Sequence, residues 1–539
     1  MGKIEGSLYS PHRGPPFRIV IERDSAHAQP LSIVAVAALA LLVYLGSTRL
    51  AGGLGFPLDD SWIHQTYARN LALFGQWAYQ PGQVSAGSTS PVWTLVLSMG
   101  YWLGLDFRLW AYVLGYLTLV ATAWGLFRLG RHLFPAQPAV AFLAALLAAG
   151  EWHLVWAAAS GMETLLFTAL SLILLDMASG PHPPTPSAAA AGEGERALHL
   201  SLLPKLREKG VGGMRALLSP SGIGLLGGLL VLTRPEGVVL LALVGLAWMM
   251  RHPRPASLAA LGLGFALLTI PYLLFNHANG AGWLPNTFYA KQQEYAVLLA
   301  EPYLLRLARL ITTTWVGPQV LLVPGLVCVA WRDRRSAWLP LLWWGAFLAL
   351  YAWRLPVTYQ HGRYLIPSIP ILLLYGVAGT AALIRPNSPH RWTRLIGRTV
   401  VGALAMTAVV FVARGAWAYT VDVQIVNSEM VAAGRWLRDH TPPDVLIAAH
   451  DIGAIGYYAG RPLLDLAGLV TPEVIPMLRD EARLRAFMEA QRAGYLVTFP
   501  DWYPQLSADP CFIPVYQSDA HWSPAAGGEH MVVYRTCWR

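Results

Sequence analysis

The chain has 539 residues, of which 55% are hydrophobic and only 13% are charged, about half the charged share of an ordinary soluble protein. This composition excludes a soluble globular protein and predicts a polytopic α-helical membrane protein. The formal net charge of +9 does not indicate nucleic-acid binding, because the basic residues lie in short segments between apolar stretches.

Eleven apolar stretches predict about 11 transmembrane helices, of which the fifth and sixth are short. They lie near residues 31–50, 108–128, 139–158, 162–179, 221–233, 237–250, 255–276, 315–331, 337–353, 364–384 and 399–417. A further run, 91–105, is shorter than the roughly 20 residues that a span needs. The basic clusters between the stretches share one side of the membrane only if this run does not cross. We therefore expect it on the outer surface of an inner or plasma membrane, with the N-terminus in the cytoplasm.

This topology divides the chain into three parts. Residues 1–30 form a cytoplasmic tail, 31–417 a transmembrane domain and 418–539 an extracytoplasmic α/β domain. The transmembrane domain includes an outer loop, 51–107, with juxtamembrane helices. It also includes a cytoplasmic linker, 180–219, whose first part is rich in Pro, Ala and Gly and reads as flexible.

The α/β domain is predicted from short apolar runs that alternate with helical patterns. The runs at 445–449, 463–466 and 495–499 have the composition of buried strands, and helical spacing appears at 428–439 and 477–492. Outside the cytoplasm Cys511 and Cys537 would be free to form a disulfide, and the sequence leaves open whether they do. His450 and Asp451 follow the first strand and are expected only to shape a turn.

Two adjacent acids, Asp59 and Asp60, lie just past the first span and before a helical pattern that begins near Ser61. Neighbouring carboxylates repel each other, so at least one is expected to have an altered proton affinity or to hold a cation. The alternative is that Asp60 merely caps the helix that follows. Both interpretations stay open at this point.

Further polar residues come from the other outer segments, where ionisable groups at membrane depth are costly and indicate function. The candidates are Arg69, Glu163, Arg234, Glu236, Asn286, Lys291, His361 and Arg363. Several have a structural alternative: capping or solvating a span end for Glu163, an ion pair for Arg234 with Glu236, and contact with lipid headgroups for Lys291 and Arg363. For His361 the structural role is favoured.

Several of these segments resemble the outer loops of GT-C membrane glycosyltransferases, in particular the mycobacterial terminal arabinofuranosyltransferase group. The similar blocks are Leu58-Asp59-Asp60-Ser61-Trp62-Ile63, Gly87-Ser88-Thr89-Ser90-Pro91, Ser160-Gly161-Met162-Glu163-Thr164, Thr233-Arg234-Pro235-Glu236-Gly237, Leu284-Pro285-Asn286-Thr287-Phe288-Tyr289-Ala290-Lys291 and Arg363-Tyr364-Leu365-Ile366-Pro367. Any one block is weak, but together they are specific. The resemblance covers about residues 31–417 and would make that part the catalytic domain.

The resemblance implies an inverting enzyme that moves a hexose or pentose from a polyprenyl-phosphate donor to an acceptor hydroxyl on the outer face of the membrane. The acceptor would be a cell-envelope glycan, lipid or protein. Asp59 or Asp60 would be the general base and Glu163 a second acid of the site. Many relatives have Asp-Glu where this chain has Asp-Asp, so the sequence leaves open which acid acts.

The leaving phosphate would be stabilised by Arg234, Lys291, His361 or Arg363, or by a divalent cation (Mg, Mn or Ca) on Asp59 and Asp60. The sequence does not decide between these. Other classes remain as alternatives: a transporter or flippase for lipid-linked sugars, and a non-enzymatic envelope protein that binds or assembles glycans. A transporter site is expected near the bilayer midplane, often with internal repeats, whereas here the acids follow a span and no repeat is visible.

Overall fold

The structure is a computed structural model that describes residues 28–179, 219–251, 253–332, 338–384 and 389–538. Almost all of the predicted cytoplasmic tail and linker lie outside the described residues. The predicted domain boundaries therefore remain predictions, as does the side of the membrane on which each terminus lies.

Long apolar helices form the first part of the fold. They are α1 (Ala28–Ala51), α2 (Asp59–Phe74), α3 (Pro91–Trp102), α4 (Phe107–Leu133), α5 (Pro138–Gly150), α6 (Trp152–Ala159), α7 (Thr164–Ser179), α8 (Pro220–Thr233), α9 (Gly237–Arg251), α10 (Pro255–Asn279), α11 (Asn286–Glu294), α12 (Tyr303–Thr313), α13 (Val323–Arg332), α14 (Trp338–Arg354), α15 (Ile369–Leu383) and α16 (Arg391–Val426).

Five helices within the described ranges are long and apolar enough to cross a membrane, or up to seven if each of two bent pairs is one span. Helices α5 and α6 form one pair, bent by 50°, and α12 forms the other with 318–330, bent by 105°. Three further apolar helices, α7, α8 and α9, are shorter. The chain is a multi-pass membrane protein, while the number of 11 spans stays a prediction.

The segment after α1 folds into two short helices joined by a small hairpin, β1 (Ala78–Gln80) and β2 (Gln83–Val84). Helix α2 begins at Asp59, close to the predicted start, and its N-cap residue Leu58 makes no side-chain cap bond. Helix α3 occupies the ambiguous run 91–105 and has only 12 residues, which is about 18 Å at 1.5 Å per residue. That length is too short to cross a bilayer.

The last part of the chain forms a five-stranded mixed sheet in the order β4-β3-β5-β7-β6. Its strands are β3 (Ile447–Ala449), β4 (Leu463–Asp465), β5 (Tyr495–Thr498), β6 (Phe512–Gln517) and β7 (Val532–Thr536), and its main helices are α17 (Ala432–His440), α18 (Ile452–Ala459) and α19 (Glu481–Ala490). Strands β3, β4 and β5 are parallel, whereas β7 runs antiparallel to β5 and β6.

The three predicted strands and both predicted helical patterns are present in this region, but β6 and β7 were not predicted. Strand β6 is an edge strand with largely exposed side chains, so it lacks the apolar run by which the others were found. Cys511 and Cys537 form a disulfide between the residue before β6 and the residue after β7. The predicted boundary at 418 falls inside α16, which continues through a π-helical turn, Asn427–Val431, into α17.

The segment 59–112 and the sheet region share one hydrophobic core. Trp62 and Tyr67 of α2 are buried in the same cluster as Ile452, Ile455 and Val497. Helix α18 approaches α2 so closely that a Cβ at Gly453 would collide with the carbonyl oxygen of Asp59. Glycine is therefore required there by close backbone approach, and it brings the end of a sheet strand beside the acid pair.

Candidate active site

Asp60 is held by two cations from separate parts of the chain. Its Oδ2 accepts a hydrogen bond from Arg363 Nη2 at 2.5 Å, and its Oδ1 lies 3.8 Å from Lys291 Nζ. Lys291 lies on α11, and Arg363 lies between α14 and α15. Burial acts to raise the pKa of Asp60, but the charges of Lys291 and Arg363 outweigh it and hold the pKa well below the usual range. Asp60 is therefore ionised and paired rather than the cap of its own helix.

Asp59 has a different environment, although it is the next residue. Its Oδ2 accepts the backbone N–H of Gly453 at 2.6 Å, and its Oδ1 accepts that of Ala454 at 2.7 Å. These are N–H groups of the first turn of α18, which lack partners inside their own helix. Asp59 thus caps a helix 394 residues away in sequence. Burial raises the pKa of Asp59 despite these two bonds, and the charge of Asp60 raises it further.

Asp451 lies beside this cap and joins it to the sheet. Its Oδ2 is buried and has no hydrogen-bond partner among the described residues. Burial raises the pKa of the Asp451 carboxyl well above its usual value, and the charge of Asp59 adds to the effect. The sheet region thus places a second buried carboxyl group beside Asp59. The sequence interpretation of Asp451 as a turn former missed this proximity.

Two cavities meet at Asp60. The first, of about 410 Å³, is lined mainly by apolar side chains of the membrane helices, and we call it the apolar cavity. The second, of about 360 Å³, is bounded by the sheet region, and we call it the sheet-side cavity. Four residues line both: Asp60, Lys291, Arg363 and Tyr364. An ion-paired carboxylate therefore lies where an apolar and a polar compartment adjoin.

The far wall of the apolar cavity carries a buried network of charges. Arg234 Nε lies 3.6 Å from Glu236 Oε2 and 3.9 Å from Glu163 Oε1. Arg234 also donates to the Tyr351 hydroxyl at 2.8 Å, and that hydroxyl donates to Glu236 at 2.5 Å. Buried charges need such partners because their desolvation is costly. The predicted ion pair between Arg234 and Glu236 is therefore present, and it also faces the cavity.

Glu163 has a second partner in His64, whose Nε2 lies 3.4 Å from its Oε2. The buried Glu163 carboxylate thus faces two partners, His64 and Arg234. His64 comes from α2, so this contact ties the helix that carries Asp59 and Asp60 to the opposite wall.

Seven of the ten predicted site residues line a cavity: Asp59, Asp60, Glu163, Arg234, Glu236, Lys291 and Arg363. The other three make contacts within the protein. Arg69 donates to the Tyr457 carbonyl at 3.0 Å and stacks over its ring. Asn286 accepts the N–H of Ala281 at 2.8 Å. Arg69 thus joins α2 to α18, and Asn286 joins α11 to the loop that precedes it.

His361 also lies outside both cavities. Its Nε2 is 2.9 Å from Asp422 Oδ2, which also accepts from Trp156 Nε1 at 2.9 Å. Gln360 and His361 have φ values of 51° and 60°, a left-handed conformation that is uncommon for residues other than glycine. The contact with Asp422 fixes this strained turn and so places Arg363 two residues later, in line with the structural role favoured for His361.

Several cavity residues were not found from the sequence. Glu294, Arg479, Trp502 and Tyr503 line the sheet-side cavity together with His450 and Asp451. They come from α11 and from loops next to the sheet, and no motif or spacing links them. For His450 and Asp451 alone a signal was available, since they directly follow the buried strand β3, and it was interpreted as turn chemistry.

The divalent cation predicted on Asp59 and Asp60 stays a prediction, because among the described residues the oxygens of both acids already have other partners. Both oxygens of Asp60 face cations, and both oxygens of Asp59 accept backbone N–H groups. No group of three or more His, Cys, Asp or Glu side chains suited to a metal occurs among the described residues. Oxygen-rich coordination is what such hard cations require, so we derive no chemical step through a metal.

Comparison with known proteins supports the fold. Residues 408–534 match a family described as a domain of unknown function (DUF8728). No curated protein matches the chain. The structure is similar to ArnT from Cupriavidus metallidurans bound to undecaprenyl phosphate, with a TM-score of 0.59 and 16% identity over 94% of this chain and 98% of that one.

It is also similar to the oligosaccharyltransferase of Archaeoglobus fulgidus in the apo form, with a TM-score of 0.57 and 13% identity over 89% of this chain and 70% of that one. The mycobacterial arabinofuranosyltransferase AftD gives a TM-score of 0.45, at 16% identity, over 93% of this chain and 41% of that one. The chain therefore has the GT-C fold.

Proposed function

We propose that this protein is an inverting glycosyltransferase that moves a sugar from a polyprenyl-phosphate donor to an acceptor hydroxyl. The observation that carries the proposal is the position of Asp60, an ion-paired carboxylate at the junction of an apolar and a polar cavity. The proposal holds for hexosyl and pentosyl donors alike. It places the site on the outer face of the membrane, as the distribution of basic residues favours.

The apolar cavity suits a lipid phosphate. Its lining from membrane helices accommodates a prenyl chain, and Lys291 and Arg363 lie at its charged end. Arginine and lysine are the side chains best suited to bind phosphate. The ArnT structure of the same fold was solved with undecaprenyl phosphate bound, which supports this class of donor.

The chemistry follows from the same arrangement. The acceptor oxygen attacks the anomeric carbon while its proton passes to Asp60, and the bond from that carbon to the phosphate oxygen breaks. The departing polyprenyl phosphate takes the electron pair, and Lys291 and Arg363 stabilise the charge that develops on it. Attack from the side opposite the leaving group inverts the anomeric centre.

Asp60 is the better candidate for the base than Asp59. Asp60 lines both cavities, whereas Asp59 lines only the sheet-side cavity and uses both oxygens to cap α18. Donor binding would draw Lys291 and Arg363 toward the phosphate and weaken their hold on Asp60. Its pKa would then rise toward the range in which a carboxylate accepts a proton effectively.

The test is transfer by the purified full-length protein from a panel of polyprenyl-phosphate sugars. We expect one donor to be consumed, and Asp60→Asn to reduce turnover by about 10²–10⁴. The matched control is Asp106→Asn, since Asp106 caps α4 and lines neither cavity. Transfer by Asp60→Asn at the parent rate would refute the assignment of the base.

A further inference from the structure

We propose that the sheet-side cavity is the acceptor site and that the wall supplied by 450–503 binds a carbohydrate. This assigns a role to part of the region matched by the family of unknown function, 408–534. The inference rests on the proposed function, because it names the acceptor of that reaction.

The wall is built by a chain of polar contacts between two distant segments. Glu294, at the end of α11, lies 3.4 Å from His450 Nε2. The other ring nitrogen of His450 lies 2.7 Å from the Tyr503 hydroxyl. Both side chains of this ion pair are largely buried, with 11% of Glu294 and 13% of His450 exposed. The short helix α11, which lies between apolar helices of the first part of the fold, and the sheet region are thus joined at the cavity surface.

Trp502 gives the same wall an exposed aromatic surface. It is 39% exposed while its ring packs edge-on to His450 at 5.1 Å and against Phe499 at 5.2 Å. An indole that is held on two sides and open on another offers a preformed apolar platform with a polar edge. Pyranose and furanose rings present C–H faces to such platforms and hydroxyls to the polar groups around them.

The charges of the cavity favour a neutral, hydroxyl-rich ligand. Three of its four acids are already matched: Asp60 by Lys291 and Arg363, Glu294 by His450 and by Arg479 at 3.9 Å, and Asp59 by two backbone N–H groups. The fourth, Asp451, has a buried Oδ2 with no hydrogen-bond partner among the described residues, and an acceptor hydroxyl could donate to it. A neutral polyol can bond to both members of an ion pair without separating them. Each of its hydroxyls can donate a hydrogen bond to a carboxylate and accept one from a guanidinium group.

The cavity also has the right position for an acceptor. Asp60, Lys291 and Arg363 form its boundary with the apolar cavity, so a hydroxyl bound on the sheet side can reach Asp60 while the donor lies on the other side. A lipid acceptor would instead need an apolar wall like that of the first cavity.

The experiment measures binding of short oligosaccharides to the full-length protein by saturation-transfer NMR. The probes are a mannose disaccharide, an arabinofuranose disaccharide and a short neutral peptide. Lipid nanodiscs are used because sugar-based detergents would compete. We expect the parent to bind a disaccharide and Trp502→Ala to weaken its affinity by about tenfold, close to the 1.4 kcal/mol that a tenfold change represents. Glu294→Gln, which keeps the side-chain shape, should weaken it as well.

The matched control is Trp522→Ala, because Trp522 belongs to the same sheet region, packs on Trp417 and lines neither cavity. Equal affinity in the parent and Trp502→Ala, or binding of the peptide alone, would overturn the inference. Donor hydrolysis in the absence of acceptor is measured in parallel and should be equal in the parent and in Trp522→Ala, which lies outside both cavities. If disaccharide binding depends on Trp502 but no donor is ever consumed, the carbohydrate site stands and the proposed transfer fails.

Discussion

The two cavities differ in the origin of their walls. The apolar cavity is lined by blocks such as 160–164 and 233–237, which lie next to apolar helices and were found from the sequence. The sheet-side cavity combines α11 with residues near 450, 479 and 502. The apolar cavity is thus formed largely by the membrane part, whereas the sheet-side cavity exists only because the sheet region packs onto that part.

After Asp60→Asn, the largest expected effect comes from a cation shared by both cavities. Arg363→Gln removes the closest partner of Asp60 and a stabiliser of the leaving phosphate, so turnover should fall by about 10²–10³. Arg354→Gln is the comparison, since Arg354 lines the apolar cavity alone and should mainly raise the donor KM by a few fold. Steady-state kinetics separate the two. Similar losses of turnover in the two variants would mean that the residues shared by both cavities have no special role.

A smaller effect is expected at Asp59, which joins α2 to the sheet region by capping α18. In Asp59→Asn the amide can accept only one of the N–H groups of Gly453 and Ala454, and its own NH₂ faces the other. An unsatisfied buried donor costs about 1–3 kcal/mol. Thermal unfolding in nanodiscs should therefore begin at a lower temperature than in the parent and in the control Asp106→Asn. Unfolding of Asp59→Asn at the parent temperature would contradict this role of Asp59.

The smallest effect is a pH dependence at Glu294. Burial acts to raise its pKa, but the bond to His450 and the charge of Lys291 lower it to about 2, whereas an unfolded Glu has a pKa of about 4.3. A lowered folded-state pKa stabilises the protein above the unfolded pKa, and that stabilisation is lost as the pH falls from about 4.3 toward 2.

The parent should therefore unfold about 1–3 °C above Glu294→Gln at neutral pH, and this difference should shrink below about pH 4. Thermal unfolding of both proteins from pH 7 to 3 is the measurement. Glu489→Gln serves as the control, since Glu489 is an exposed partner of Arg485 on α19. A difference between parent and Glu294→Gln that grows on acidification would show that the Glu294 carboxylate does not stabilise the fold.

The site residues that could be predicted from the sequence are those that local patterns mark. The acid pair, Glu163, Lys291 and Arg363 follow or flank apolar helices, and their cost at membrane depth is visible without a structure. The role of Asp59 was not predictable, because its partners lie 394 and 395 residues away. Strand β6 was missed for a related reason: an edge strand with exposed side chains has no apolar period to detect.

The continuous helical segment from α16 to α17 has a mechanical consequence. Residues 391–440 form a 50-residue helical run, about 75 Å of rod at 1.5 Å per residue. The sheet region is therefore joined to the membrane part without an intervening loop, and the regular bond ladder of the run is interrupted at the π-helical turn Asn427–Val431. The orientation of the sheet region relative to the membrane helices is thus set by a helix rather than by a flexible linker.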